Sequence, residues 1–209
     1  MKRHLHTICL VVLGLSALAI SASAQEVPAI TQDFFKINYF SNNGVSGAPD
    51  ATVRIDNPGS PVVAPPENFP SPPQNLCAMI YVFDNDQQLT ECCGCLVTPD
   101  GLRTLSVGKN LTNNPLTGVV SNNGVINIVS ALPNNSPCDP TTGFDFTPTV
   151  RAWASHIQNK VGSAYPVTET EFTNATLSET EFAGNLIDQC FFVQRLGSGH
   201  GICSCGTGD

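Results

Sequence analysis

The cysteines are the residues of this chain whose side-chain chemistry and spacing most directly suggest a disulfide framework or a metal site. The sequence holds nine of them, and Cys9 lies in an apolar N-terminal segment. The other eight are Cys77, Cys92, Cys93, Cys95, Cys138, Cys190, Cys203 and Cys205. An even number of cysteines in an exported chain is typical of a disulfide framework. Thiolates also bind zinc, copper(I) and iron–sulfur clusters, so the same side chains offer a second chemistry.

The metal alternative uses five of these cysteines and one histidine as ligands: Cys92, Cys93, Cys95, Cys203, Cys205 and His200. Their spacing is not the CxxC…CxxC pattern of a zinc ribbon, and export favours oxidation of the thiols. Cys92 and Cys95 have the separation of a redox-active CxxC motif, but Cys93 intervenes and no βαβ pattern surrounds them. The sequence therefore favours disulfides and predicts no metal ligand.

The expected strand pairing suggests a partner for the first of these cysteines. Residues 76–83 and 89–97 are predicted strands joined by a polar connection. If Phe83 pairs with Leu89, Cys77 falls opposite Cys95, which predicts a Cys77–Cys95 bridge. A register slip of one residue would give Cys77 a different partner.

The remaining cysteines divide by the direction in which their side chains point. On a strand, Cys92 faces away from Cys93 and Cys95. Cys203 and Cys205 lie on one face if the C-terminal tail is extended. We expect Cys203 and Cys205 to pair with Cys92 and Cys93, which would connect the tail to the strand pair. We also expect Cys138 to pair with Cys190, which would connect a long loop to the helix.

Histidine is scarce, which limits catalytic sites of the Ser-His-Asp or Cys-His type. Beyond residue 24 the chain has only His156 and His200. His156 lies in a strand pattern and is expected to be structural or on the surface. Gly197-Ser198-Gly199-His200-Gly201 is not a GxSxG nucleophile elbow, because Ser198 follows the first glycine directly and the segment follows a predicted helix.

Acidic residues give no clearer catalytic signal. Asp84-Asn85-Asp86 offers oxygen ligands for calcium but lacks the glycine and terminal glutamate of an EF-hand loop, which favours a solvated turn. The pairs Glu169/Glu171 and Glu179/Glu181 are explained by a polar strand face and by helix capping. The sequence thus predicts no catalytic residue and no cofactor-binding residue.

The N-terminus has the three parts of a secretory signal peptide. Lys2 and Arg3 are followed by an apolar run over residues 8–20 and by the small-residue site Ala22-Ser23-Ala24. The apolar run is short for a membrane span, so we expect cleavage after residue 24 and no membrane insertion afterwards. The mature protein is therefore expected outside the cell or in a periplasm.

Charge and composition restrict the partners. The formal net charge is −8, and the loss of Lys2 and Arg3 would change it to −10. An acidic surface repels phosphate backbones and anionic lipid, which disfavours nucleic acid and membrane-surface binding. Only 12% of residues are charged, and 17 glycines and 16 prolines are present. This composition is typical of a β-rich domain with many loops.

The hydrophobic pattern predicts how the cysteines are positioned. We expect one mainly β domain over residues 25–209, an antiparallel β-sandwich (Ig-like or similar) stapled by disulfides, with one C-terminal α-helix. Strands are predicted at residues 34–40, 51–56, 76–83, 89–97, 102–107, 125–129, 149–157 and 167–176, with a proline-rich loop at 58–73.

Two local patterns carry most of this prediction. Residues 76–83 are apolar on both alternating faces, which places them centrally in a sheet, and residues 76–107 are expected to form a three-stranded meander. Ser178 and Glu181 form a capping box for a helix over residues 178–196, and Gly197 ends it.

Three segments resemble exported, cysteine-rich bacterial proteins of unassigned function: Leu76-Cys77-Ala78-Met79-Ile80-Tyr81-Val82-Phe83-Asp84, Glu91-Cys92-Cys93-Gly94-Cys95 and Gly197-Ser198-Gly199-His200-Gly201-Ile202-Cys203-Ser204-Cys205. The resemblance covers roughly half of the mature chain. It implies bacterial export, and it implies neither a catalytic residue nor a ligand.

The class of function is inferred from the features that are present and from the lack of a recognisable set of catalytic residues in the sequence. We expect a secreted, non-enzymatic module with a structural, adhesive or partner-binding role, its partner being another extracellular protein or a glycan. Two alternatives stay open: a secreted hydrolase with a site around His200 or the Asp and Glu residues, and metal capture by the cysteines. The sequence makes no prediction of oligomeric state.

Overall fold

The computed structural model describes residues 32–59, 74–133 and 137–206. The predicted signal peptide lies outside these ranges, as does most of the proline-rich loop at 58–73, so both stay predictions. None of the helices in the described ranges is long and apolar enough to cross a membrane.

The described residues contain nine strands, a short π-helical turn between β5 and β6, and one C-terminal helical region. The strands are β1 (Gln32–Phe40), β2 (Thr52–Asn57), β3 (Leu76–Asp84), β4 (Leu89–Val97), β5 (Gly101–Ser106), β6 (Gly124–Ala131), β7 (Arg151–Ile157), β8 (Val167–Glu171) and β9 (Thr173–Ala175). Two π-helical turns cover Val107–Leu111 and Glu181–Ile187, and helix α1 covers Asp188–Leu196.

The strands form two antiparallel sheets that pack face to face. The five-stranded sheet has the order β4-β3-β6-β1-β9, and the four-stranded sheet has the order β5-β2-β7-β8. The predicted antiparallel β-sandwich with one C-terminal helix is therefore confirmed. β3 lies between β4 and β6 and is buried on both faces, as its two-sided apolar pattern predicts.

The predicted three-stranded meander is wrong in its last strand. β3 and β4 form a hairpin, but β5 pairs with β2 in the other sheet. The turn between β4 and β5 redirects the chain: Gly101 N–H donates to Thr98 O, and Asp100 N–H donates to Asn57 O. A Cβ at Gly101 would lie 2.7 Å from Thr98 O, so the tight turn requires glycine.

The single strand predicted at residues 167–176 is two strands in different sheets. β8 pairs with β7, and β9 pairs with β1. Between them Phe172 is buried, and its N–H donates to Ala152 O at 2.8 Å. The chain thus crosses from one sheet to the other at Phe172, whose aromatic side chain is buried in the core between the sheets.

The main core lies between the two sheets and is built by alternate residues of both. Its centre is aliphatic and includes Ala78, Ile80, Val82, Ile126 and Ile128 from the five-stranded sheet and Val53, Ile55, Leu105, Ala152 and Ala154 from the four-stranded sheet. Removal of these side chains from water is the main source of stability for the sandwich.

The C-terminal helical region packs on the outer face of the five-stranded sheet. Its buried side chains Leu186, Cys190 and Val193 recur at the predicted helical spacing. Ser178 Oγ accepts a hydrogen bond from Glu181 N–H at 3.1 Å, and Gly197 follows the last helical residue, as predicted. The predicted C-terminal helix is thus confirmed, with a π-helical segment at Glu181–Ile187 before α1.

Candidate functional site

All eight predicted cysteines form disulfides in the described part of the chain. The pairs are Cys77–Cys138, Cys92–Cys190, Cys93–Cys203 and Cys95–Cys205. Their Cα–Cα distances run from 5.2 Å for Cys93–Cys203 to 5.9 Å for Cys92–Cys190, which is ordinary disulfide geometry.

The predicted Cys77–Cys95 bridge is wrong because of a β-bulge. Phe83 does pair with Leu89, but the next pair is Val82 with Glu91, so one extra residue lies in β4. The register beyond the bulge shifts by one residue. Cys95 therefore lies opposite Ala78, and Cys77 pairs with Cys138 instead.

Cys92 points to the opposite face of β4 from Cys93 and Cys95, and this difference determines which cysteines they pair with. Cys92 points to the outer face of the sheet, where α1 supplies Cys190, so the predicted Cys138–Cys190 bridge is wrong. Cys93 and Cys95 point into the sandwich core. The predicted connection between the tail and Cys93 is confirmed, since Cys203 pairs with Cys93. The predicted connection between the tail and Cys92 is wrong, since Cys205 pairs with Cys95 instead.

Of the other sequence candidates, Asp84, Glu171 and Glu181 line two neighbouring pockets described below, whereas His200 and Glu169 lie elsewhere. His200 is exposed in the tail, where its N–H donates to Gly197 O at 2.8 Å. Asp84 Oδ1 accepts from Asp86 N–H and Gln88 N–H, both at 2.9 Å, so this segment is the expected turn. Glu169 forms an ion pair with Arg54 across the outer face of the four-stranded sheet.

The outer face of the five-stranded sheet carries a feature that the sequence reading did not single out. Cross-strand neighbours on β1, β6 and β3 form three parallel rows, which are Phe35–Val129–Met79, Ile37–Asn127–Tyr81 and Tyr39–Val125–Phe83. The first row is buried beneath the helical region and the loop that carries Cys138. The third row is only partly covered: Tyr39 is 47% and Val125 is 41% exposed, and Phe83 is half-buried.

Two pockets meet on this partly covered end. The first, about 350 Å³, lies between the sheet and the helical region and is lined by Phe83, Asp84, Gln87, Val125, Asn127, Glu181, Asn185, Leu186 and Gln189. The second, about 520 Å³, is lined by Ile37, Asn38, Tyr39, Val125, Thr170, Glu171 and Thr173. Because Val125 lines both, we call them together the open-face groove. Each volume is within the usual range for small-ligand pockets, roughly 300–1,000 Å³.

Tyr39 is held in place by residues of the other sheet. Its ring stacks on the imidazole of His156, with ring centroids 4.0 Å apart. His156 Nε2 lies 2.7 Å from Thr170 Oγ1, and Asn38 Nδ2 donates to the same hydroxyl oxygen at 3.2 Å. Burial lowers the pKa of His156, and a backbone contact with Tyr39 only partly offsets this, so the imidazole under the tyrosine is neutral at neutral pH. The prediction of a structural or surface role for His156 fits this position.

Asn127 is the polar residue in the middle row of the groove. Its Oδ1 is buried and has no hydrogen-bond partner among the described residues. A buried acceptor without a partner is costly, and a ligand hydroxyl would satisfy it. The described lining also includes three carboxylates, from Asp84, Glu171 and Glu181, and no Lys, Arg or His.

Glu91 is a buried acid that lies outside the groove. The residue is 0% exposed; Oε1 accepts from Asn114 N–H at 2.9 Å, and Oε2 has no partner in the described chain. Burial raises the pKa of Glu91 to about 7, against 4.5 for an ordinary glutamate, and the Asn114 hydrogen bond offsets this only in part.

The raised pKa of Glu91 makes stability depend on pH. Between about pH 4.5 and about pH 7 the unfolded chain loses this proton before the folded chain does, so stability falls as pH rises and then levels off. At about pH 8 we expect Glu91→Gln to raise the free energy of unfolding by about 1–3 kcal/mol, and below about pH 4 to change it little. Urea unfolding of both proteins at several pH values measures this. A gap that stays constant with pH would contradict the assignment.

Comparison with protein-family models, curated proteins and solved structures finds no match to this chain.

Sequence reasoning missed the open-face groove because its residues come from separate strands. Tyr39, Val125 and Phe83 meet only when the registers of β1, β6 and β3 are known. A weak signal was present at Asn127, a carboxamide in the middle of the apolar strand β6. A polar residue at such a position needs either a partner or a role.

Proposed function

We propose that this protein is an exported, non-enzymatic module that binds a neutral glycan in the open-face groove. One observation carries the proposal: the helical region and the Cys138 loop cover one half of the outer sheet face and leave Tyr39 and Val125 exposed, with Phe83 half-buried beside them. Exposed apolar side chains grouped with polar ones mark a binding surface more often than chance exposure does. Four disulfides support the exported part of the proposal, since disulfides persist in oxidising compartments.

The chemistry of the lining supports an uncharged polyhydroxyl ligand. Each hydroxyl of a sugar both donates and accepts hydrogen bonds, as a carboxamide does. The groove offers five carboxamides, on Gln87, Asn127, Asn185, Gln189 and Asn38. Tyr39 and Phe83 offer apolar surface for the C–H faces of sugar rings.

Charge and preorganisation support the same class of ligand. The three carboxylates of the lining repel anionic ligands, such as acidic polysaccharides or nucleic acid. Stacking on His156 limits the freedom of the Tyr39 ring before a ligand arrives, which reduces the entropic cost of binding.

We expect Tyr39→Ala to weaken the binding of short neutral gluco-, xylo- or manno-oligosaccharides by about 5- to 30-fold. The substitution removes the apolar platform, and an aromatic contact of this kind contributes about 1–2 kcal/mol. Isothermal titration of the best binder from such a panel, against the wild type and Tyr39→Ala, measures the change. Asn127→Ala is expected to weaken binding as well, by removing the acceptor in the middle of the groove.

Phe192→Ala is the matched control, because Phe192 is an aromatic residue on α1 that is 57% exposed and lines neither pocket. It is expected to bind like the wild type, and an anionic oligogalacturonide is expected not to bind. Equal affinity of Tyr39→Ala and wild type would contradict the proposed groove. Binding of a protein partner and of no oligosaccharide would contradict the ligand class.

A further inference from the structure

We propose that the disulfides Cys93–Cys203 and Cys95–Cys205 are a latent metal site, which reduction by a dithiol converts into a four-thiolate site for Zn²⁺. The two bridges lie side by side, because each joins the same extended tail to the same face of β4. In the oxidised protein these sulfurs are bonded in pairs and are not thiolate ligands. The site is therefore gated by redox state, and it is independent of the open-face groove.

The positions of three of the four sulfurs fit one ion, and the fourth is bonded to one of these three. Sγ atoms of Cys93, Cys95 and Cys205 all lie within 4.8 Å of one another, and the sulfur of Cys203 is bonded to that of Cys93. In a tetrahedral site with Zn–S distances of about 2.3 Å, the sulfurs are about 3.8 Å apart. Once the two S–S bonds are open, we expect rotation of the Cys203 side chain to bring its sulfur to this separation from the other three.

The tail is held against β4 by contacts that do not involve sulfur. Cys203 N–H donates to Cys92 O at 3.3 Å, and Ser204 N–H donates to Asn110 O at 2.8 Å. Asn110 Nδ2 donates to Ser204 Oγ at 2.9 Å, and Arg103 Nη1 donates to Cys205 O at 3.3 Å. Because none of these hydrogen bonds depends on an S–S bond, we expect them to persist after reduction and to keep the four thiols next to one another.

Reduction has an entry point at Cys205, which is partly exposed while Cys93, Cys95 and Cys203 are buried. A thiolate of the dithiol attacks the Cys205 sulfur and releases Cys95 as a thiol; the second thiol of the same molecule then releases Cys205 and leaves a cyclic disulfide. Each bridge takes two electrons and two protons from one dithiol, so two dithiols reduce both bridges. Zn²⁺ then binds the four sulfurs and displaces their four protons to solvent.

The test uses the full mature protein after reduction with dithiothreitol and removal of the dithiothreitol under anaerobic conditions. The reduced protein is titrated first with Co²⁺, which serves as a spectroscopic probe, and then with Zn²⁺. We expect the reduced protein to bind one Co²⁺ with thiolate charge-transfer absorption, which Zn²⁺ abolishes by displacement. The oxidised protein is expected to show no such absorption. Bound Zn²⁺ is expected to protect Cys93, Cys95, Cys203 and Cys205 from iodoacetamide, as read by peptide mass spectrometry.

Two double variants distinguish metal binding at this site from metal binding by other thiols of the reduced protein. Cys203→Ser/Cys205→Ser is expected to lose the stoichiometric Co²⁺ absorption, whereas Cys77→Ser/Cys138→Ser, which opens a bridge elsewhere, keeps it. The proposal is overturned if the reduced wild type takes up no Co²⁺, including the case in which near-ultraviolet circular dichroism shows that it has unfolded. It is equally overturned if Cys203→Ser/Cys205→Ser binds like the wild type, or if the protected cysteines are others.

Discussion

Replacement of both Cys92 and Cys190 with alanine is expected to lower the free energy of unfolding by about 4–5 kcal/mol. This bridge joins residues 98 positions apart, and a loop of that length removes a corresponding amount of chain entropy from the unfolded state. It also fixes α1 on the outer face of β4, where Cys92 and Cys190 are both fully buried. Equilibrium urea unfolding under non-reducing conditions, on both proteins, measures the loss.

Phe192→Ala is a suitable comparison, since it alters an exposed side chain of the same helix and is expected to change stability by less than about 0.5 kcal/mol. If the Cys92→Ala/Cys190→Ala protein lost no more stability than this control, the position of the helix would not depend on the bridge. Another interaction would then have to hold the helix over one half of the sheet face.

Gly94→Ala is expected to destabilise the protein by about 2–3 kcal/mol. A Cβ at this position in β4 would lie 2.1 Å from Cys138 O and 2.6 Å from Cys138 C, which are main-chain atoms. The loop cannot move away freely, because Cys138 is bonded to Cys77 on the neighbouring strand β3. Thermal or urea unfolding of the variant measures the cost.

Gly143→Ala provides the matched control in the same loop. An added Cβ at Gly143 would meet no atom within 4 Å. We expect that substitution to be neutral or slightly stabilising, since it only restricts the unfolded chain. Equal stability of the two variants would show that the loop does not pack over Gly94 as closely as the structure describes.

Local pattern was sufficient to predict most strands, the sandwich and the C-terminal helix. Alternating or continuous apolar runs decide strand positions directly, and Ser178 with Glu181 marks the helix start. The failures lie where the chain departs from regular geometry. One extra residue in β4 moved Cys77 away from Cys95, and burial of Phe172 divided one predicted strand between two sheets. Neither departure has a sequence signal strong enough to predict it.

The candidate site was harder to predict than the fold for a physical reason. Side-chain direction along one strand follows from its period of two, so the opposite facing of Cys92 and Cys93 was predictable. Proximity across strands depends on register and strand order, and Tyr39, Val125 and Phe83 lie far apart in sequence. The Cys93–Cys203 bridge was predictable in part, because both segments bring cysteines to one face.

The outer face of the five-stranded sheet has a covered half that stabilises the fold and, as we propose, an open half that binds a glycan. Amide chemical-shift mapping of the labelled protein during titration with the best-binding neutral oligosaccharide tests this claim most directly. We predict that the largest shifts occur at Tyr39, Val125, Asn127 and Phe83. Shifts confined to Arg54 and Trp153 on the opposite sheet, or to the exposed side of α1, would contradict the claim.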